Sequence, residues 1–268
     1  MSEIVGIFGG SGLYQLLEGA REVVVPTPYG PASDRVFLGE MAGRQVAFMP
    51  RHGRAHSIPP HRINFRANLY AMREVGARRI LAPCAVGSLR REIEPGQVTI
   101  PHQFVDRTWG RQDTYWDGPQ VQHLTAADPY CPELGEAAAA AARRQGATVH
   151  PAQTLVVIQG PRFSTRSESR WFSSQGWGVI GMTGYPEVVL ARELGLCYAA
   201  IALVTDYDAG LEGSEDVAPV THEQVLAVFA ANIDRVRKIL FDLVEHLPQR
   251  AGCSCASGVP LPELAPAP

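Results

Sequence analysis

Apolar residues along this chain fall into short runs set apart by polar turns and by longer amphipathic stretches, the alternation of an α/β protein. Ile4–Phe8, Val36–Leu38, Val46–Met49, Ile80–Val86, Val98–Ile100, Thr154–Ile158 and Val179–Met182 read as strands. Cys197–Val204 is almost wholly apolar, which predicts a strand buried on both faces. The two runs around Gly39–Arg44 suggest a hairpin. Helical spacing runs through His61–Val75 and the alanine-rich Pro132–Gly146. A further helix starts at Pro186, a residue suited to the first helical position, and closes at Gly195. Capping boxes at Thr165…Glu168 and Thr221…Gln224 open two more. The second is the longest, carrying Val225, Phe229, Ile233, Val236, Leu240 and Leu243 to a stop at Pro248. Between Pro101 and Pro129 the chain reads as an irregular insert, too polar to be core and long enough to be functional or an interface.

The stretch 179–210 organises the rest: strand, tight turn, helix, strand, polar turn. Its turns, Met182–Thr183 and Thr205–Asp208, fall where neighbouring strands end, the place where open α/β sheets build ligand sites. An isolated Asp206-x-Asp208 would be read as a solvated turn. Two other strand ends carry candidate chemistry. Gly9-Gly10-Ser11-Gly12 follows the first strand and is either a small-anion loop or a plain glycine turn. It fits neither the dinucleotide pattern, which would need glycine where Gln15 stands, nor a Walker loop. Arg51, His52, Arg54 and His56 form the densest cationic cluster, which favours an anion site over a solvated loop.

Composition narrows the picture. With 268 residues, 46% hydrophobic and 19% charged, the chain is expected to form one domain over about 1–248. The proline-rich remainder, 249–268, is expected to be loosely ordered. A net charge of −3 without a Lys/Arg run argues against nucleic acid as a partner. No membrane span or signal peptide is evident, so a cytoplasmic protein is expected. Five scattered cysteines do not suggest a secreted disulfide framework, and Cys84 and Cys197 read as small buried packing residues.

Taken in order, GGSG (9–12), TPYGPAS (27–33), RHGR.H (51–56), AVGSL (85–89), QFVDRT (103–108), QGPRFSTR (159–166), GMTGYPE (181–187) and TDYD (205–208) are a specific set. The chain resembles the trimeric purine nucleoside phosphorylases, and within them the 5′-methylthioadenosine phosphorylases, from about Ile4 to about Leu247. The resemblance implies a single α/β domain with a mixed, partly barrel-like sheet surrounded by helices. It implies phosphorolysis of 5′-methylthioadenosine to adenine and 5-methylthioribose 1-phosphate in purine and methionine salvage, with some use of adenosine. A broad-specificity purine nucleoside phosphorylase or a methylthioinosine phosphorylase is the alternative. A noncatalytic nucleotide-binding protein is disfavoured, because Arg51, His52, Thr183 and Asp206 occur together. Phosphate would be a co-substrate and no cofactor or catalytic metal is implied.

By the same resemblance Ser11, Arg51, His52, Cys84, Ala85 and Thr183 would hold phosphate. Met182 would lie against the ribose. Asp206 would act at purine N7 as the catalytic acid, with Asp208 accepting from the 6-amino group. Phe163 and Ser164 would face the base, and His222 the 5′ end of the sugar. His123 would reach in from a neighbouring subunit of a homotrimer or a dimer of trimers. Readers of 6-oxopurines in this family carry glutamate where Ser164 stands and asparagine where Asp206 stands, so adenine-type bases are favoured. His222 replaces the valine common in methylthio-preferring members, and Cys84 replaces a hydroxyl donor. Cys253 and Cys255 resemble a cysteine pair of some thermophilic relatives.

Overall fold

The computed structural model describes residues 3–10, 13, 19–209, 220–249 and 252–256. In chain order its strands are β1 (Ile4–Gly9), β2 (Arg21–Val23), β3 (Val36–Met41), β4 (Arg44–Pro50), β5 (Ala77–Ser88), β6 (Val98–Arg107), β7 (Val149–Ile158), β8 (Val179–Gly181) and β9 (Cys197–Asp206). The helices are α1 (Phe65–Glu74), α2 (Pro132–Arg144), α3 (Arg166–Ser174), α4 (Glu187–Glu193) and α5 (His222–Glu245). One mixed sheet runs β2-β3-β4-β1-β5-β8-β7-β6-β9, and β9 returns to pair with β5. That last pairing closes β5-β8-β7-β6-β9 into a barrel-like ring, with β1 to β4 as an open extension.

Ring closure explains the apolar run of β9. It is hydrogen-bonded to β5 and β6, and its side chains go alternately to opposite sides. Ala199, Ile201 and Leu203 pack with Leu134 and Ala138 of α2 and with Val236, Leu240 and Leu243 of α5. Tyr198 and Ala200 pack with Leu69 and Met72 of α1, with Leu190 of α4 and with Leu194, which caps that helix. Helix α5 divides by function. From Val236 onward its apolar face is core, whereas Val225, Leu226 and Phe229 in its first half wall a cavity. Both capping boxes form, with Thr165 and Thr221 each accepting from the backbone three residues on.

Several boundaries differ from the sequence expectation. The hairpin turn is only Ala42-Gly43, so β3 and β4 extend into the segment taken as a polar loop. The helix expected from His61 begins at Phe65, after a 3-10 turn at Pro60–Arg62. Pro186 is the N-cap of α4 rather than its first residue. The insert expected from Pro101 is shorter, because β6 runs on to Arg107 beside β7. Nor is it wholly outside the core: Tyr115 and Tyr130 are buried. The carboxylate of Glu193 accepts from Tyr115 N and from the Thr114 hydroxyl, each at 2.7 Å. A buried acid thus fixes a segment whose local sequence has no periodicity.

The sheet also departs from the open, parallel arrangement in which strand ends build a site. β8 runs antiparallel to β5, and β9 parallel to it. The two turns still meet, because β8 is only three residues long. Gly87 of β5 lies opposite Ile180 on one side and Asp206 on the other. In the C-terminal segment, Cys255 is buried with the α2–α5 core, while residues 257–268 lie outside those described. Among the described residues no helix is long and apolar enough to cross a membrane.

Candidate active site

Parallel β1 and β4 end side by side, and Arg51 N donates to Gly9 O at 3.0 Å. The cationic loop therefore leaves the sheet next to the glycine loop. Ser11 lies outside the described residues. Arg51 is 2% exposed and its guanidinium forms a fork on Glu187, at 2.7 and 2.9 Å, with a third contact to Pro83 O at 3.3 Å. Tyr198 donates to the same carboxylate at 2.8 Å. Pairing with Glu187 outweighs burial and raises the Arg51 pKa above its ordinary value, so this arginine stays charged. Its charge is matched by Glu187, so this end of the cavity wall holds no large excess of positive charge. Burial raises the Cys84 thiol to about 11, keeping it neutral beside Arg51.

His52 is the other unusual group. Its Nδ1 lies 2.9 Å from Ile58 O, so Nδ1 carries the proton and Nε2 is left as an acceptor. Burial, aided by the charge of Arg51, lowers its pKa to about 4. The ring stacks on His56 with centroids 4.5 Å apart. Between pH 6.5 and about 4 the unfolded chain binds a proton here that the native chain does not, so stability rises with pH across that window. The contribution reaches at most about 3 kcal/mol. His52→Gln is expected to flatten the stability difference between pH 7.5 and 5 in urea melts. A variant as acid-sensitive as the parent would place the titration elsewhere.

At the far wall the last residue of β9 presents its carboxylate. Thr205 Oγ1 lies 2.7 Å from Asp206 Oδ2, and Asp208 N donates to Asp206 Oδ1 at 2.8 Å. Burial nonetheless raises the Asp206 pKa, with the charge of Asp208 adding to it. The close approach depends on Gly87, where a Cβ would stand 2.8 Å from Asp206 Oδ1. Burial also raises the Asp208 carboxyl, opposed by the nearby Ser169 and Ser164 hydroxyls. Asp208 Oδ2 and Ser164 Oγ are buried without a hydrogen-bond partner among the described residues. The two groups are neighbours, so a turn of the Ser164 hydroxyl lets it donate to the Asp208 carboxylate.

These groups border one cavity of about 570 Å³. Arg51, His52, Cys84, Ala85, Phe163, Met182, Thr183, Asp206, Asp208 and His222 all line it. Ser164 sits behind, near Asp208. His123 does not line it; this residue is exposed in the segment between β6 and α2. Two positioning residues were not singled out from the sequence. Glu187 appeared only as part of a motif, and its partner is far away in the chain. Arg111 sends its guanidinium to the carbonyls of Gln159 at 2.9 Å and Met182 at 3.0 Å, and to that of Tyr185, tying the turn after β8 to the end of β7. At Gly160, with φ +64°, a Cβ would stand 2.7 Å from Met182 Sδ. Small size there leaves room for the Met182 side chain in the cavity wall.

Comparison with known proteins supplies the family. The phosphorylase superfamily matches residues 4–245. A purine nucleoside phosphorylase of Streptomyces coelicolor is 55% identical over 98% of this chain and 95% of its own. An S-methyl-5′-thioadenosine phosphorylase of Mycolicibacterium smegmatis is 50% identical over 97% and 98%. The crystal structure of a methylthioadenosine phosphorylase from an antarctic soil metagenomic library superposes with a TM-score of 0.87 at 36% identity, covering 96% of this chain and 91% of that one. By fold, by near full-length identity and by the family match, the chain belongs to the phosphorylase superfamily, among its purine nucleoside and methylthioadenosine phosphorylases.

Proposed function

We propose that the chain cleaves 5′-methylthioadenosine with phosphate, giving adenine and 5-methylthioribose 1-phosphate, and that adenosine is used as well. The observation that carries the base preference is Asp208, a buried carboxylate on the cavity wall beside the half-buried Asp206. A carboxylate accepts from a 6-amino group but meets a 6-keto oxygen lone pair to lone pair, a mismatch of about 1–3 kcal/mol. In this reading Arg51, Thr183, Ser11 and the Cys84–Ala85 backbone hold phosphate, while neutral His52 accepts from a P–O–H. A phosphate oxygen attacks C1′ as the C1′–N9 bond breaks. The bonding pair leaves with the purine, and N7 takes the Asp206 proton. Phosphate is the second substrate, and the chemical steps need no cofactor. The chain is expected to work in the cytoplasm.

The 5′ end decides between methylthioadenosine and adenosine. Val225, Leu226, Phe229 and Pro60 give the cavity an apolar wall suited to a methylthio group, and His222 stands among them. An imidazole can also hydrogen-bond a 5′-hydroxyl, which valine cannot. In a substrate panel at fixed phosphate, His222→Val is expected to lower the adenosine-to-methylthioadenosine ratio of kcat/KM by up to roughly tenfold, the loss of one neutral hydrogen bond. An unchanged ratio would remove His222 as the 5′ reader. Parent turnover on inosine exceeding that on methylthioadenosine would overturn the base preference.

We also take the assembly to be a homotrimer, in which His123 contributes to a neighbour's site. In support, the segment carrying His123 exposes Trp109 (66%) and Val121 (70%), apolar surface of a kind that subunit contacts cover. Light scattering is expected to give the mass of three chains or a multiple of it, and His123→Ala to raise KM for nucleoside with unchanged melting. A fully active monomer would contradict this.

A further inference from the structure

Four of the five cysteines converge. The Sγ atoms of Cys131, Cys197, Cys253 and Cys255 all lie within 4.8 Å of one another. They come from three separate parts of the chain: the N-cap of α2, the first residue of β9 and the segment after α5. If these were only small packing residues, nothing would require thiols at all four places. Cys131, Cys197 and Cys255 are buried, and Cys253 is half-buried. Cys197 and Cys253 sulfurs are 3.4 Å apart, well beyond a disulfide bond of about 2.05 Å. They are close to the edge of about 3.8 Å that a tetrahedron of sulfurs with zinc–sulfur bonds of about 2.3 Å would have.

We propose that these four cysteines form a structural site for one tetrahedral zinc ion. Four soft thiolates in a closed shell leave no open position, the pattern of a structural centre rather than a catalytic one. Binding would replace up to four S–H bonds by Zn–S bonds and release that many protons, leaving a centre of charge −2. Two features offset that charge. Cys131 sits at the N-terminus of α2, where free N–H groups favour anions. The guanidinium of Arg192 acts on Cys255, and its buried Nε has no hydrogen-bond partner among the described residues. The site is remote from the catalytic cavity, because Cys197 begins the strand that Asp206 ends, nine residues and on the order of 30 Å away. Its role is to pin the C-terminal segment to the ring.

The test uses the full-length chain, purified with reductant, stripped by chelator and titrated with Co²⁺ and then Zn²⁺. One equivalent of Co²⁺ is expected to give thiolate charge-transfer bands and the intense visible bands of tetrahedral cobalt, with Zn²⁺ displacing it. Zinc should raise the melting temperature and protect four thiols from a thiol reagent. Cys253→Ser, at the least buried ligand, should weaken binding at least tenfold while the chain still melts cooperatively. Cobalt bands without thiolate character, or four thiols left reactive, would overturn the proposal. So would an intact mass of the untreated chain short of two or four hydrogens, which would mean disulfides instead.

Discussion

Asp206→Asn is expected to lower kcat for adenine nucleosides at least tenfold, about 1.4 kcal/mol, and by up to roughly a thousandfold if proton donation supplies the usual advantage. The fold should survive the change. Asn Oδ1 can still accept from Asp208 N, and its amide can donate to Thr205, whose hydroxyl proton then turns to Val86 O at 3.2 Å. The second amide hydrogen can bond N7 without transferring a proton, so binding should suffer much less than turnover. The pH profile supplies a second readout. Burial raises the Asp206 pKa, so the acid form persists to higher pH than for an exposed aspartate. Activity that depends on that form falls as pH rises through the raised pKa, and the Asn variant should lose this limb. Unchanged kcat would remove Asp206 from the chemistry.

Glu187→Gln is expected to produce the largest loss of stability. It leaves Arg51 buried with an incomplete partner, at a cost of about 3 kcal/mol or more. In a chain of this size that is on the order of 10 °C in Tm. The loss should depend on phosphate. With its matching carboxylate gone, Arg51 has an uncompensated charge that an anion in the adjoining cavity can neutralise. Inorganic phosphate should therefore raise the Tm of the variant more than that of the parent. An equal rise in both would show that Arg51 does not face the anion and is purely structural. The same reasoning makes Arg51→Lys a better probe of phosphate KM than Arg51→Ala, since alanine would leave Glu187 buried and unmatched.

Strand and helix identity was legible because the periods are strong. The apolar run of β9 signalled burial on both faces, and the two capping boxes located α3 and α5 to the residue. The site was legible only where chemistry clusters locally, as at Arg51–His56 and Asp206–Asp208, or where a motif resembles a family. Glu187 was not, because an acid on a helix next to apolar residues reads as an exposed position until Arg51 arrives from 136 residues earlier. The core role of Tyr115 was hidden for the same reason: Glu193, 78 residues on, supplies the partner that local sequence lacks. Ring closure was legible only through the family resemblance, which implied a partly barrel-like sheet, since a strand paired on both edges looks the same by pattern in an open sheet as in a closed one. The four-cysteine cluster shows the limit most plainly. Cys197 taken alone is a packing residue, and only the fold brings it to Cys131, Cys253 and Cys255.

The central claim is that this cavity transfers the pentose of an adenine nucleoside to phosphate. Incubating the purified chain with 5′-methylthioadenosine, with and without inorganic phosphate, tests it directly when adenine and the sugar product are both quantified. Adenine and 5-methylthioribose 1-phosphate should appear in equal amounts with phosphate, and neither should appear without it. Adenine released at the same rate in phosphate-free buffer, with free methylthioribose as the second product, would make the chain a hydrolase and contradict the account.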